Sequence, residues 1–354
     1  MEMKQKLIVL SGGGSGGPVT PLLALAPDLH AAGYELAWVG TTDGVERKMV
    51  QEKNIAYQAI SAGKFRRYFS VQNFFDAFRV LAGFFESLNY LSKKRPALVM
   101  TAGGFVSVPL VWAAWALHIK VIVHQQDIRP GLANRLMAPF ADVVTVTFEK
   151  SLKDFGKKAV WTGNPVRAAF RNVVRRKADG NRPRVLVLGG GTGATSLNNL
   201  IIFSLPELTQ VADVVHVTGG KTEGKQAIVG YTAYDFLVEE RMAQEMADAD
   251  VVVTRAGLGT LTELAYLGKP TIIIPMPNSH QDDNARYFTK QRAAAVVEQS
   301  NLQSSQFLEI IRNFLGDDRR RREISINIKK TMGQLANSEI MKIIKEIASP
   351  EVDY

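Results

Sequence analysis

Residues 7–21 read LIVLSGGGSGGPVTP, an apolar run that opens into glycines and then into a proline-marked helix start. Leu7 to Leu10 has the composition of a buried strand, and Gly12, Gly14 and Gly17 satisfy the spacing G-x-G-x-x-G. Such a loop exposes backbone amides at the positive end of a helix, and both features favour an anionic oxygen. Pro18 is expected in the first turn of that helix, where a missing N–H costs nothing. The pattern returns at residues 188–198, LGGGTGATSLN, with Gly189, Gly191 and Ala194 in the G-x-G-x-x-A variant. Neither loop carries a Walker lysine, which argues against a P-loop ATPase. A nicotinamide enzyme needs an acidic residue after the second strand. Asp43 in GTTDGVE fits that place in the first half, but the second half has no equivalent directly after Val217.

Around these loops, short β-branched runs alternate with helix-period segments. They are Leu7 to Leu10, Glu35 to Gly40, Ala97 to Thr101, Val121 to His124 and Val143 to Val146, then Arg184 to Leu188, Val214 to Val217, Val251 to Thr254 and Thr271 to Pro275. Alternation of this kind predicts an α/β protein with two Rossmann-like parallel sheets, each wrapped by helices on both faces. The break falls near Trp161 to Pro165, before the basic stretch from Arg171 to Arg184, which reads as a solvated linker with a surface helix. The expected division is 1–162, 163–335, and a last helix within 336–354 that packs back on the first domain. Ligands in open parallel sheets sit beyond the carboxyl ends of the strands. Two such domains facing each other are therefore expected to enclose a cleft lined by both loops.

Composition sets outer limits. The 354 residues hold no cysteine, which excludes disulfides, thiolate metal sites and cysteine nucleophiles and fits a reducing compartment. Net charge is +9, from 43 basic and 34 acidic residues, a bias toward anionic partners. The opening has no long apolar signal segment, because Ser11 and the glycines after it interrupt the run, so a cytoplasmic location is expected. Phe105 to Val123 is apolar but broken by Ser107, Pro109, His118 and Lys120, and reads as turn, helix and buried strand.

Six motifs in fixed order carry a family resemblance: GGGSGGPVTP, TAGGFVSVP, HQQD followed by GLANR, TGNPVR, LGGGTGATSLN, and TRAGLGTLTELAYLGKPTIIIP with HQDDNA. Together they resemble the bacterial peptidoglycan N-acetylglucosaminyltransferases, which make lipid II from lipid I. The resemblance implies the GT-B architecture and transfer of N-acetylglucosamine from UDP to the 4-hydroxyl of a muramoyl residue, with inversion at the anomeric carbon. It implies UDP-GlcNAc in the C-terminal half. Glu263 then grips the ribose hydroxyls, a bidentate role suited to a carboxylate. Leu258, Gly259 and Thr260, expected just before a helix, meet the diphosphate with Gly191 and Thr192 of the second glycine loop. Arg167 and Arg255 stand near the phosphates, and Gln281 and Asn284 read the sugar hydroxyls, with His280 open to a structural role.

The same resemblance gives the undecaprenyl-linked acceptor to the N-terminal half. There Gly14, Ser15, Gly16 and Gly17 cradle its pyrophosphate, while Phe105, Gln125 and Asn134 line the acceptor side. The chain departs from the family at Pro18, where histidine is usual, at HQQD, where HEQN is usual, and at Gly191, often serine. The family histidine at the loop end is a candidate base, and proline cannot replace it. His124, with an unperturbed pKa of about 6.5, has the right chemistry, and Asp127 lies three residues on. The reading is His124 as base with Asp127 as its partner; Asp127 alone, or both as acceptor ligands, stay open.

Asp248-Ala249-Asp250 spells a D-x-D metal motif but precedes a strand, at its amino edge, so no metal or other cofactor is expected and leaving-group charge falls on amides and arginines. Between Lys64 and Lys94, Phe74, Phe75, Phe78, Leu81, Phe84, Phe85 and Leu88 recur at helical spacing amid basic residues. One face must be core; the surplus suits peripheral contact with an anionic membrane surface on its cytoplasmic face. Two other readings remain: a transferase of the same fold using another lipid such as diacylglycerol, and a UDP-GlcNAc 2-epimerase. A nucleic-acid partner explains the charge but not the paired glycine loops, so none is expected.

Overall fold

The computed structural model describes residues 5–63, 71–176, 182–189, 195–220, 228–277, 279, 281–300, 302–333 and 335–348, with 71–75 described for the backbone alone. The chain divides into two compact units, Met1–Arg167 with Leu335–Tyr354, and Ala168–Gln334.

In the first unit strands and helices alternate: β1 (Leu7–Ser11), α1 (Thr20–Ala31), β2 (Glu35–Gly40), α2 (Val45–Gln51), β3 (Ala56–Ala59), α3 (Val71–Lys94), β4 (Leu98–Thr101), α4 (Ser107–Ala116), β5 (Val121–Gln125), α5 (Leu132–Met137), β6 (Val143–Val146), α6 (Leu152–Phe155) and β7 (Ala159–Trp161). The strands form one parallel sheet in the order β3-β2-β1-β4-β5-β6-β7. Successive side chains leave a strand on opposite faces. Val9, Val99, Val121 and Val123 accordingly pack with α4 residues on one face, while Ile8, Leu10, Met100 and Ile122 pack with Leu22, Leu25 and Leu29 of α1 on the other.

The second unit holds α7 (Ala168–Asn172), β8 (Arg184–Leu188), α8 (Thr195–Val211), β9 (Asp213–Val217), β10 (Tyr231–Tyr234), α9 (Glu239–Asp248), β11 (Val251–Thr254), α10 (Leu258–Leu267), β12 (Thr271–Ile273), α11 (Gln281–Lys290), β13 (Ala295–Val296), α12 (Ser304–Gly316) and α13 (Asp318–Thr331). Its sheet is also parallel, ordered β10-β9-β8-β11-β12-β13. The final helix, α14 (Ala336–Ala348), belongs to the first unit. There Ile340, Ile344 and Ala348 are buried with the α1 residues, and Asn337 accepts from the Val166 amide at 2.8 Å while donating to Asp28 at 2.8 Å. Each buried isoleucine contributes roughly 1.5–3 kcal/mol by removing apolar surface from water.

Every strand expected from the sequence is present, with ends shifted by at most two residues. The strands that the sequence did not announce are β3, β7, β10 and β13, which are the edges of the two sheets. One local expectation changes. Helix α1 begins at Thr20, so Pro18 lies in the turn before it, and Pro21 is the proline that fills the first turn. The Gly16 carbonyl accepts from the amides of Val19 and Thr20 and from the Thr20 hydroxyl, tying loop to helix.

Candidate active site

In each sheet the strand order reverses once, between β1 and β4 and between β8 and β11, and the carboxyl ends beside such a switch point form the natural ligand crevice. The first crevice is built from three loops. Gly103 and Gly104 follow β4 with φ of +112° and +95°, backbone that favours glycine, and a Cβ on Gly104 would lie 2.5 Å from the Gly13 carbonyl oxygen. The TAGGF turn thus packs backbone to backbone against the first glycine loop. Ser107 holds the same junction, with its hydroxyl 2.9 Å from that of Ser11 and 3.0 Å from the Gly103 carbonyl. A Cβ on Gly17 would lie 3.8 Å from Gln126 Oε1, so the segment after β5 is the third wall.

Gly14, Ser15 and Gly17 are exposed at the loop tip and Gly16 is half-buried. Phe105 is half-buried and packs on the core cluster beneath the turn. Asn134, on α5, is buried; its Nδ2 donates to Gln125 Oε1 at 2.7 Å and to the His124 carbonyl at 3.2 Å, while its Oδ1 has no partner among the described residues. A buried acceptor without a donor is costly, and a ligand hydroxyl is the kind of group that relieves it. Gln125 has both polar atoms engaged, since its Nε2 donates to the carbonyls of Asp127 and Arg129. It shapes the loop.

His124 does not stand where a base would. Its ring is buried on β5, with Nδ1 2.9 Å from the Thr145 hydroxyl and Nε2 2.9 Å from Asn164 Oδ1. Asn164 Oδ1 accepts, so the Nε2 carries hydrogen and Nδ1 accepts from Thr145. Burial lowers the imidazole pKa to about 4, against the opposing pull of the Asn164 hydrogen bond. Neither nitrogen keeps a lone pair for a substrate hydroxyl, and neither is turned to Asp127. Asp127 itself is exposed in the loop after β5.

The second crevice centres on Arg255, the residue after β11. Its guanidinium is buried, with Nη1 donating to the carbonyls of Ile274 and Pro275 at 2.9 and 3.2 Å and Nη2 to the Ser196 hydroxyl at 2.9 Å. Burial lowers its pKa, and its Nε has no partner among the described residues. It makes no ion pair among the described residues, so a buried cation sits beside the start of α10 without a counter-charge. Helix α10 begins at Leu258 rather than after Thr260, with Gly257 as a cap that supplies no side chain. The amides of Leu258, Gly259 and Thr260 are therefore the open first turn.

Gln281 and Asn284 of α11 hold the loop between. Gln281 Oε1 accepts from the amides of Ala256 at 3.2 Å and Met276 at 3.0 Å, and Asn284 Nδ2 donates to the Ala256 carbonyl at 3.0 Å. Among the described residues the Nε2 of Gln281 meets no acceptor, so its hydrogens can face a ligand. Glu263 is buried in α10, 4% exposed. Gly191, Thr192 and His280 lie outside the described residues. Arg167 is the last residue of the first unit before the chain passes into the second. The D-x-D carboxylates are structural: Asp248 accepts from the Arg176 amide and Gln244, and Asp250 from the Arg184 amide and the Arg175 guanidinium.

Sequence reasoning missed Glu46, Asn164 and Ser196. The signal for Glu46 was present in GTTDGVE, where Asp43 was the residue noted; Asp43 is exposed, and the carboxylate that reaches the glycine loop is Glu46.

Two parallel-sheet Rossmann-like units, the first with its glycine loop at the switch point, have the architecture of the GT-B class, and the comparisons carry this to a family of glycosyltransferases. Residues 8–146 match the glycosyltransferase family 28 N-terminal domain and residues 184–340 the glycosyltransferase family 28 C-terminal domain. A curated relative from Clostridium kluyveri, the UDP-N-acetylglucosamine--N-acetylmuramyl-(pentapeptide) pyrophosphoryl-undecaprenol N-acetylglucosamine transferase, is 37% identical over 96% of this chain and 99% of its own length. The crystal structure of Acinetobacter baumannii MurG matches with a TM-score of 0.77 at 24% identity, covering 96% of this chain and 99% of that one. A UDP-N-acetylglucosamine 2-epimerase structure also matches, with a TM-score of 0.67 at 12% identity over 97% of each chain. The protein belongs to glycosyltransferase family 28.

Proposed function

We propose that the protein transfers N-acetylglucosamine from UDP-GlcNAc to the 4-hydroxyl of undecaprenyl-pyrophosphoryl-MurNAc-peptide, converting lipid I to lipid II. The observation that carries this reading is 37% identity over almost the full chain to a relative named for that reaction. Fold alone does not separate it from epimerisation, since an epimerase structure shares the architecture. The relatives also favour the lipid-linked muramoyl acceptor over diacylglycerol.

In this reading UDP-GlcNAc binds the second unit. The diphosphate meets the first-turn amides of α10 and supplies the charge that Arg255 lacks, while Glu263 takes the ribose and the Nε2 of Gln281 a sugar hydroxyl. The acceptor 4-hydroxyl attacks the anomeric carbon from the face opposite UDP; the bond from that carbon to the diphosphate oxygen breaks, and UDP leaves with the electron pair. Fixed amides and a guanidinium meet that charge without a cation or other cofactor. The acceptor pyrophosphate lies at the first glycine loop, with Asn134 Oδ1 accepting from an acceptor hydroxyl or amide. The hydroxyl's proton passes to Asp127, because both His124 nitrogens are occupied within the fold.

The acceptor's lipid implies a membrane, and α3 offers a surface for it on the cytoplasmic side. Val80, Phe84, Ser87 and Leu91 face the core or lie partly against it, whereas Phe78, Leu81 and Phe85 are 57%, 52% and 60% exposed. Trp115 of α4, which packs beside α3, is 57% exposed, and Lys93 and Lys94 end α3. Exposed aromatics beside basic side chains suit a peripheral contact with anionic lipid. The side chains of Phe74 and Phe75 lie outside the described residues. No described helix is long and apolar enough to cross a membrane.

Incubation with UDP-GlcNAc alone tests the epimerase reading. A transferase leaves the nucleotide sugar largely intact without acceptor, and formation of UDP-ManNAc contradicts the proposal.

A further inference from the structure

The first glycine loop is not simply an open anion cradle. Glu46, in the first turn of α2, is fully buried, and its carboxylate reaches under the loop. Oε2 accepts from the Gly14 amide at 3.3 Å; Oε1 accepts from the Thr41 amide at 3.0 Å and the Thr41 hydroxyl at 2.6 Å. Glycines make room for it. A Cβ on Gly13 would lie 2.6 Å from Oε1, and one on Gly44 would collide with the same carboxylate. Tyr57 closes the far side, its hydroxyl donating to the Thr41 carbonyl at 2.6 Å, and its pKa is raised by burial and by the Glu46 charge. No lysine or arginine makes an ion pair with Glu46 among the described residues.

A buried carboxylate depends on its hydrogen bonds, because nothing else replaces the water it lost. If the loop drifted away, the Gly14 bond would be lost and the carboxylate left one donor short. Glu46 therefore fixes the loop to the turn after β2, and through Gly13 to the TAGGF turn that packs on it. It also takes the Gly14 amide away from any ligand, leaving the tip residues Ser15 to Gly17, exposed or half-buried, for that purpose.

We infer that Glu46 is a positioning residue for the acceptor: its buried carboxylate holds the first glycine loop in the shape that receives the acceptor's pyrophosphate. This rests on the function proposed above. Glu46→Gln is the informative variant because it keeps shape and volume. Whichever way its amide turns, one N–H faces either the Gly14 or the Thr41 amide, two donors in opposition.

The test measures kcat and KM for both substrates, with melting temperature, in the unaltered chain, Glu46→Gln, and Thr41→Val as a milder variant that removes one donor. The inference predicts an acceptor KM raised about tenfold in Glu46→Gln and less in Thr41→Val, with the KM for UDP-GlcNAc unchanged within about twofold, the scale of one lost charge-assisted hydrogen bond. Lower melting temperature with both KM values as in the unaltered chain would mean a purely structural role and overturn the inference. An equal rise in both KM values would overturn it too. No transfer by the unaltered chain would instead defeat the proposed function, and this inference with it.

Discussion

Nε2 of His124 lies 2.9 Å from Oδ1 of Asn164, so β5 is joined to the turn before α7 through a buried neutral imidazole. His216 is held similarly in the second unit, 3.0 Å from Asn198 Oδ1 and 3.1 Å from the Tyr231 hydroxyl.

Burial lowers both histidine pKa values from 6.5 to about 4. The unfolded chain then binds more protons than the folded one between those values. Stability is fully present above pH 6.5 and is lost as pH falls toward 4, by up to about 1.4 kcal/mol per pH unit for each histidine. Urea midpoints measured from pH 7.5 to 4.5 should fall; replacing His216 with Gln should flatten part of the slope. A flat profile in the unaltered chain contradicts the neutral, buried assignment.

If Asp127 takes the proton, Asp127→Asn should lower kcat by about 10² or more with UDP affinity unchanged. His124→Ala should act on stability first, because it strands the Thr145 and Asn164 groups, at about 1–3 kcal/mol for each group left unpaired. Stopped-flow transfer rates at matched folded fraction separate the two. Normal turnover in Asp127→Asn removes it from the chemistry.

Donor binding should depend on Arg255 and Glu263. Lysine in place of Arg255 cannot reach Ser196, Ile274 and Pro275 at once, and alanine in place of Glu263 removes the carboxylate from α10. Each change should weaken UDP by roughly 1.5–3 kcal/mol in calorimetry. Unchanged affinity in a folded Glu263→Ala protein refutes the ribose assignment.

Vesicle binding should rise with anionic lipid content and fall with salt. Phe78→Ser with Phe85→Ser should weaken it without lowering the melting temperature, since both rings lie on the exposed face of α3. Unfolding of that double variant would mean that the face is core.

What the sequence made legible follows from burial. The internal strands are two-sided and dense in valine, isoleucine and leucine, so Val251–Thr254 and Arg184–Leu188 stand out residue by residue. The edge strands are short and partly exposed; AYQA in β3 and AVW in β7 carry no continuous apolar signal. At the site, motif residues such as Arg255 and Asn134 were visible in sequence, but their partners were not. Glu46 acts on Gly14, and Asn164 on His124, through pairings that the sheet order alone creates. The misread role of His124 has the same cause: a histidine at a strand end looks catalytic until its two neighbours are known.

The most direct test of the central claim is transfer of labelled N-acetylglucosamine from UDP-GlcNAc, with lipid I and diacylglycerol offered together in vesicles. The account predicts label on lipid I alone, β-linked to the muramoyl 4-hydroxyl, with one UDP released per sugar transferred. Label on diacylglycerol, or an α-linked product, would contradict it.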